Sequence, residues 1–224
     1  MQLNNPSQIL KSEVRGTIIT ENYNCFSTFN YANYQQESRK PYGNLAVFND
    51  ETLAGQEKIS YNFDENQVVV LLPMVGTLTI EKNGISQSIA VNQIYTFYIE
   101  KGKSFSIFNP YKNELVNFIQ LRIQSNNVIS SLNNFDLETK NEFINLITLP
   151  YFSISIGIFT ARKDKTYKVN DSNKGLFAFV INGAFEFQNR LLENRDGLKI
   201  CNVQEIELES LSENAILLLL EITI

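Results

Sequence analysis

The chain has 224 residues, of which 43% are hydrophobic and 19% charged, the composition of a folded globular protein rather than a disordered or collagen-like one. It contains no histidine, which excludes Ser-His-Asp and Cys-His nucleophilic machinery, histidine general-base catalysis and every His-liganded metal site. The net charge is −5, without the basic stripe that phosphate contacts need. The densest basic cluster, Arg162, Lys163 and Lys165, is interrupted by Asp164 and reads as a solvated turn. In chain order, residues 1–6 lack an apolar h-region, so no signal peptide is expected. Short apolar or alternating runs then predict strands over 14–20, 56–63, 67–75, 77–81, 86–91, 94–99, 104–108 and 114–123. Residues 136–148 carry the helical spacing of the chain. Phe143, Ile144 and Ile147 form an apolar stripe with Leu137, Asp136 and Glu138 suit a helix N-terminus, and Pro150 follows. Further strands are predicted over 151–159, 166–169, 175–181, 184–188, 197–201, 205–211 and 215–224.

The two halves resemble each other. Residues 70–80 and 177–187 both read as an apolar strand, a glycine turn and an alternating strand, with Gly76 and Gly183 nearly half the chain apart. A repeat of that length is a duplicated domain rather than a solenoid module. The expected fold is all-β: two tandem jelly-roll barrels, residues 1–125 and 151–224, joined by a short helical linker at 126–150. Barrels of this kind bury an inward face and can leave a ligand cavity at one mouth. The longest apolar runs, 68–75 and 215–220, fall short of the roughly 20 residues of a membrane span. Cys25 and Cys201 form no CxxC pair and have no histidine partner, so a reduced pair in a cytoplasmic protein is expected. Asp50, Glu51, Asp64 and Glu65 read as solvated loop acids. Tyr23, Tyr31, Tyr34 and Tyr42, interleaved with Asn and Gln, read as packing residues. No GxGxxG or GxxxxGK[ST] loop occurs.

Several segments resemble the pirin family, in its quercetinase-like bicupin branch. They are Phe26-Ser27 with Phe29; Tyr42-Gly43-Asn44-Leu45-Ala46-Val47-Phe48-Asn49-Asp50; Gly76 and Gly102; Phe108-Asn109; Val116-Asn117-Phe118-Ile119-Gln120-Leu121-Arg122-Ile123; and, in the second half, Asp196-Gly197-Leu198 and residues 215–221. The resemblance runs from about residue 14 to the end, and implies two tandem cupin barrels (double-stranded β-helices). It also implies iron, or another divalent metal, in the first barrel, held by a His-x-His pair, a third His and a Glu two residues later. Imidazoles and one carboxylate leave positions open for substrate and oxygen. Ungapped alignment places Asn62 and Asp64 at the His pair, and counting back from Phe108-Asn109 places Phe105 and Ile107 at the third His and the Glu. A slip of one residue exchanges Asn62 and Asp64 for Tyr61 and Phe63. Neither set suits redox iron. No cofactor and no catalytic residue are therefore expected. The expected function is a non-catalytic binding or interaction module, with a pocket near Asn62, Asp64, Phe105 and Ile107. Its partner would be a small apolar or aromatic molecule or another protein, with no nucleic acid and no membrane; the oligomeric state stays open. The alternative is a quercetin 2,3-dioxygenase-like oxidoreductase with an unrecognised ligand set.

Overall fold

Alternating residues between Gly, Asn and Asp breakers build strands almost throughout. The computed structural model describes residues 6–171 and 173–224. Among them are twenty-one strands: β1 (Ser7–Leu10), β2 (Gly16–Ile19), β3 (Tyr23–Ser27), β4 (Leu45–Leu53), β5 (Lys58–Asn62), β6 (Gln67–Val75), β7 (Leu78–Lys82), β8 (Ile85–Ile89), β9 (Gln93–Ile99), β10 (Ser104–Phe108) and β11 (Val116–Gln124). The series continues with β12 (Ser130–Asn134), β13 (Phe143–Leu149), β14 (Phe152–Phe159), β15 (Lys163–Lys168), β16 (Lys174–Asn182), β17 (Phe185–Phe187), β18 (Leu191–Leu192), β19 (Gly197–Ile200), β20 (Glu205–Ser210) and β21 (Ala215–Thr223). The expected strands at 67–75 and 104–108 coincide with β6 and β10.

The chain divides into two compact units, Gly16–Phe135 and Asp136–Ile224, the second also taking in residues 6–15. The first has a seven-stranded sheet, β12-β9-β6-β11-β4-β3-β2, and a four-stranded sheet, β5-β10-β7-β8. The second has a six-stranded sheet, β1-β19-β16-β21-β14-β13, and a four-stranded sheet, β15-β20-β17-β18. Adding ten to each strand number turns β9-β6-β11-β4 into β19-β16-β21-β14, and the first four-stranded sheet into the second. The duplication is thus written in the hydrogen-bond pattern itself. Gly76 (φ +77) follows β6 and Gly183 (φ +80) follows β16, each in the left-handed conformation that a side chain would strain. Each unit closes around its own apolar cluster, one including Leu53, Val69, Leu71, Ile80, Phe97 and Phe105, the other Phe159, Val180, Phe185, Leu198, Leu208 and Leu217.

The predicted helix at 136–148 does not form, and the segment expected as a helical linker contains β12 and β13. The reason is a bulge. β13 pairs with β14 with a register shift between Asn145 and Ile147, so Leu146 and Ile147 are both buried. One extra residue in a strand converts period-2 spacing into spacing that imitates a helix face. The aromatic and β-branched residues of Phe143–Leu149 favour the strand.

The amino-terminal segment is fastened into the second unit. β1 pairs with β19, with Ser7 opposite Ile200. Asp196, 1% exposed, accepts hydrogen bonds from Lys11 Nζ (2.7 Å), Ser12 N (2.7 Å) and Glu193 N (3.1 Å). Replacing Asp196 by Ala is expected to cost about 2 kcal/mol, because hydrogen bonds to a charged acceptor are lost together. A lower urea midpoint at unchanged slope would register it.

Candidate binding site in the N-terminal barrel

Side chains of β3, β4 and β11 that point into the first barrel follow from strand alternation. Leu45, Val47, Asn49, Glu51 and Leu53 share one face of β4, and Val116, Phe118, Gln120 and Arg122 share one face of β11. Register then sets polar groups side by side. Cys25 lies opposite Glu51, and Ser27 opposite Asn49. Gln120 lies opposite Asn49, and Arg122 opposite Val47.

Glu51 is fully buried. Its Oε2 accepts hydrogen bonds from Tyr23 Oη at 2.6 Å and Tyr61 Oη at 2.5 Å, and its Oε1 from Asn49 Nδ2 at 3.2 Å. Burial pushes its carboxyl above the ordinary value of 4.5, against the pull of the two tyrosine bonds. The same burial, with Glu51 beside them, pushes the Tyr23 and Tyr61 hydroxyls up. Burial also pushes the Cys25 thiol up to about 12, so it stays protonated and inert. Cys25 and Cys201 are both free thiols.

Arg122 is the cationic counterpart, 8% exposed. Its Nε donates to Gln120 Oε1 at 2.6 Å, and its Nη2 to Tyr31 Oη at 3.4 Å. Its Cζ lies 5.4 Å from the Tyr31 ring centre, 5.2 Å from that of Tyr61 and 4.6 Å from that of Phe63, within range of cation–π attraction. Two amide atoms are left over: Asn49 Oδ1 and Gln120 Nε2 are buried with no hydrogen-bond partner. Orphaned polar atoms in a dry interior cost free energy unless a water or ligand meets them.

The four candidate residues do not converge. Phe105 (2% exposed) and Ile107 (0%) face the barrel interior, whereas Asn62 and Asp64 are exposed. Asp64 lies instead at an open surface pocket with Glu65, Asn66, Lys101 and Gln124. The inward residues are Tyr61 and Phe63, in phase with Ile59, and Tyr61 is the cross-strand partner of Phe105. The pair of the one-residue slip, Tyr61 and Phe63, is buried, and the pair of the ungapped alignment, Asn62 and Asp64, is exposed. Phe105 packs 4.9 Å from Tyr61, 5.7 Å from Phe63 and 5.0 Å from Phe97, centre to centre. Among the described residues, no group of three or more Cys, Asp or Glu is placed to hold a metal ion.

Asp50 and Glu51 are not loop acids either. Both lie within β4 and are buried. Asp50 Oδ1 accepts from Asn117 Nδ2 at 2.8 Å, which ties β4 to β11. The signal for Glu51 was its phase, since it shares parity with Leu45, Val47 and Leu53. Asn109, part of the resemblance, is fully buried and acts as a clamp, its Nδ2 donating to Leu53 O and Glu114 O at 2.9 Å each. The second barrel also holds a buried carboxylate, on β21, the counterpart of β11 rather than of β4. Glu221, 1% exposed, accepts from Tyr167 Oη on β15 at 2.8 Å, as Glu51 accepts from Tyr61 on β5.

The sheets and barrel interiors have the two-barrel architecture of a bicupin fold. Residues 152–222 match the family described as the quercetinase C-terminal cupin domain. Over the whole chain the fold matches that of the bacterial pirin YhhW from Escherichia coli, solved in complex with nickel(II), at a TM-score of 0.84 and 15% identity, covering 97% of this chain and 99% of that one. It also matches quercetin 2,3-dioxygenase from Acinetobacter baumannii at a TM-score of 0.77 and 11% identity, covering 96% and 86%. No curated protein matches the sequence significantly. Among the described residues no helix is long and apolar enough to cross a membrane.

Proposed function

We propose that this pirin-like bicupin has exchanged the metal centre of its N-terminal barrel for a site that binds a small molecule without redox chemistry. One observation carries the reading: Tyr61, Phe63, Phe105 and Ile107 line the interior, and with a one-residue slip of the first pair these are the positions to which the resemblance assigns three histidines and a glutamate. Phenylalanine and isoleucine donate no lone pair, and Tyr61 is engaged with Glu51. Cys25 and Glu51, cross-strand neighbours, supply two donors, below the three that open catalytic metal sites use. The orphaned Asn49 Oδ1 and Gln120 Nε2 support a ligand rather than a wholly apolar filling. An acting dioxygenase of the quercetinase kind would need a third donor.

The test is metal content by inductively coupled plasma mass spectrometry after loading with nickel(II) and desalting. The expected result is no stoichiometric metal in the natural chain. One equivalent would be expected in a variant carrying Tyr61→His, Phe63→His, Phe105→His and Ile107→Glu. One equivalent in the natural chain, with turnover of quercetin above a heat-killed control, would overturn the proposal. Native mass spectrometry of the freshly purified protein reads any co-purifying organic molecule directly.

A further inference from the structure

We infer that β8 joins two copies of this chain, pairing antiparallel with the β8 of a second copy about a two-fold axis at Gln87.

β8 is the outer strand of the sheet β5-β10-β7-β8, and among the described residues no strand pairs with its far side. Its backbone phase follows from the hairpin. Asn83 (φ +51) and Gly84 (φ +74) are both left-handed, as a two-residue type I′ turn requires. Lys82 and Ile85 therefore close the turn as a hydrogen-bonded pair. Hydrogen-bonded and open pairs alternate along an antiparallel ladder. Ile85, Gln87 and Ile89 thus direct their backbone groups to β7, and Ser86 and Ser88 aim theirs at the open edge. One side chain reaches that edge: Gln87 Nε2 donates to Ser88 O at 2.8 Å, which leaves the carbonyl a second lone pair.

An open edge invites another strand unless charge, proline, a bulge or shortness protects it. β8, Ile-Ser-Gln-Ser-Ile, has no charge and no proline, and it pairs with β7 without a register shift. Ile85 is 72% exposed. The duplicated barrel supplies the contrast. The strand at the same place there, β18, is only Leu191–Leu192, set between Arg190 and Glu193. The edge strand β5 carries Lys58, β15 carries Lys163, Asp164, Lys165 and Lys168, and β13 is bulged.

The sequence points to the occupant. Residues 85–89 read the same in both directions; the uncharged edges β1, β2 and β12 do not. A two-fold axis at Gln87 sets Ser86 opposite Ser88 of the second copy, and Ile85 opposite its Ile89. The parity is right. The facing serines are the residues whose backbone groups point outward, so each facing pair exchanges both of its hydrogen bonds. The isoleucines and the two Gln87 residues then form the open pairs, where side chains approach most closely. The exposed Ile85 gains an apolar neighbour. Because the patch is self-complementary, the pairing closes at a dimer.

The experiment is oxidative cross-linking of cysteine variants in a Cys201→Ser background, beside sedimentation velocity of the natural chain over a concentration series. Cys25 is buried and stays in place. The axis puts the two Gln87 Cα atoms about 4.5 Å apart, within disulfide reach, and offsets the two Ile85 residues by roughly 13 Å along the strands. Gln87→Cys is therefore expected to form about tenfold more disulfide dimer than Ile85→Cys, although Ile85 is the more exposed side chain. The natural chain is expected to dimerise as its concentration rises. A chain with both Ser86→Lys and Ser88→Lys, which sets like charges opposite each other across the joint, is expected to stay monomeric. Mixing it with a chain carrying Ser86→Glu and Ser88→Glu is expected to restore dimers. Should the lysine variant fail to fold, the comparison of Gln87→Cys with Ile85→Cys decides alone. Equal cross-linking at the two positions, polymers larger than a dimer, or an undiminished dimer in the lysine variant would overturn the inference. So would a natural chain that sediments as a monomer at every concentration.

Discussion

Glu51→Ala is expected to destabilise the protein by about 3–4 kcal/mol. The change removes the acceptor of two tyrosine hydroxyls and one amide inside the barrel and leaves a void. Each stranded donor costs about 1–3 kcal/mol; relaxation around the gap recovers part of the sum. Glu51→Gln keeps the volume and one acceptor oxygen and should cost about 1–2 kcal/mol. The pH dependence separates the charge from the packing. The folded carboxyl of Glu51 lies above its ordinary value of 4.5, so between the two values the folded state holds a proton that the unfolded state has released. The contribution of Glu51 to stability is therefore fully present below about pH 4.5 and is lost as pH rises through the folded value. That slope is opposite to the one given by ion-paired surface carboxylates. Urea unfolding across pH 4–8 should show a falling component in the natural protein that Glu51→Gln removes; an identical profile in the variant would mean that Glu51 is ionised throughout.

The second large effect is Phe105→Ala, expected to cost about 3–5 kcal/mol, the range for deleting a buried phenylalanine. Phe105 is central to the ring cluster of Tyr61, Phe63 and Phe97, which meets it by near-stacked, tilted and edge-on contacts. Aromatic pairs add about 0.5–1.5 kcal/mol each beyond their buried area. Phe105→Leu, which refills most of the volume, should recover more than half of the loss. A cost below about 1 kcal/mol for Phe105→Ala would indicate that the barrel interior is already open at this point.

Most of the architecture was legible because it depends on local rules. β6 and β10 are bounded by turn residues and carry unbroken patterns, and the glycines after β6 and β16 announced the duplication. β13 was hidden by its bulge, whose extra residue gave Phe143, Ile144 and Ile147 a helical spacing. The site was harder to read, because parity decides which residues enter a barrel and a one-residue slip moves every side chain to the other face. Counting without gaps from Leu45 chose Asn62 and Asp64. The alternation of Ile59, Tyr61 and Phe63 would have chosen the inward set. Glu51 was misplaced because an Asn-Asp-Glu triplet looks like a loop when the phase of Leu45, Val47 and Leu53 around it is ignored. Arg122 lay in plain view within a resembling segment. Its ring cage depends on Tyr31, Tyr61 and Phe63, which are far from it in sequence.

The pairing of β1 with β19 sets a schedule for synthesis. Ser7 and Ile200 are neighbours in the finished sheet, yet at translation rates of about 5–20 residues per second the first leaves the ribosome roughly 10–40 s before the second exists. During that interval the opening segment has an unpaired backbone edge, while the first barrel, complete by Phe135, has all its own strands. The opening strand and the second unit must therefore finish together, after the first barrel. A refolding experiment in which the β1–β19 amides gain exchange protection last would carry the signature of that order.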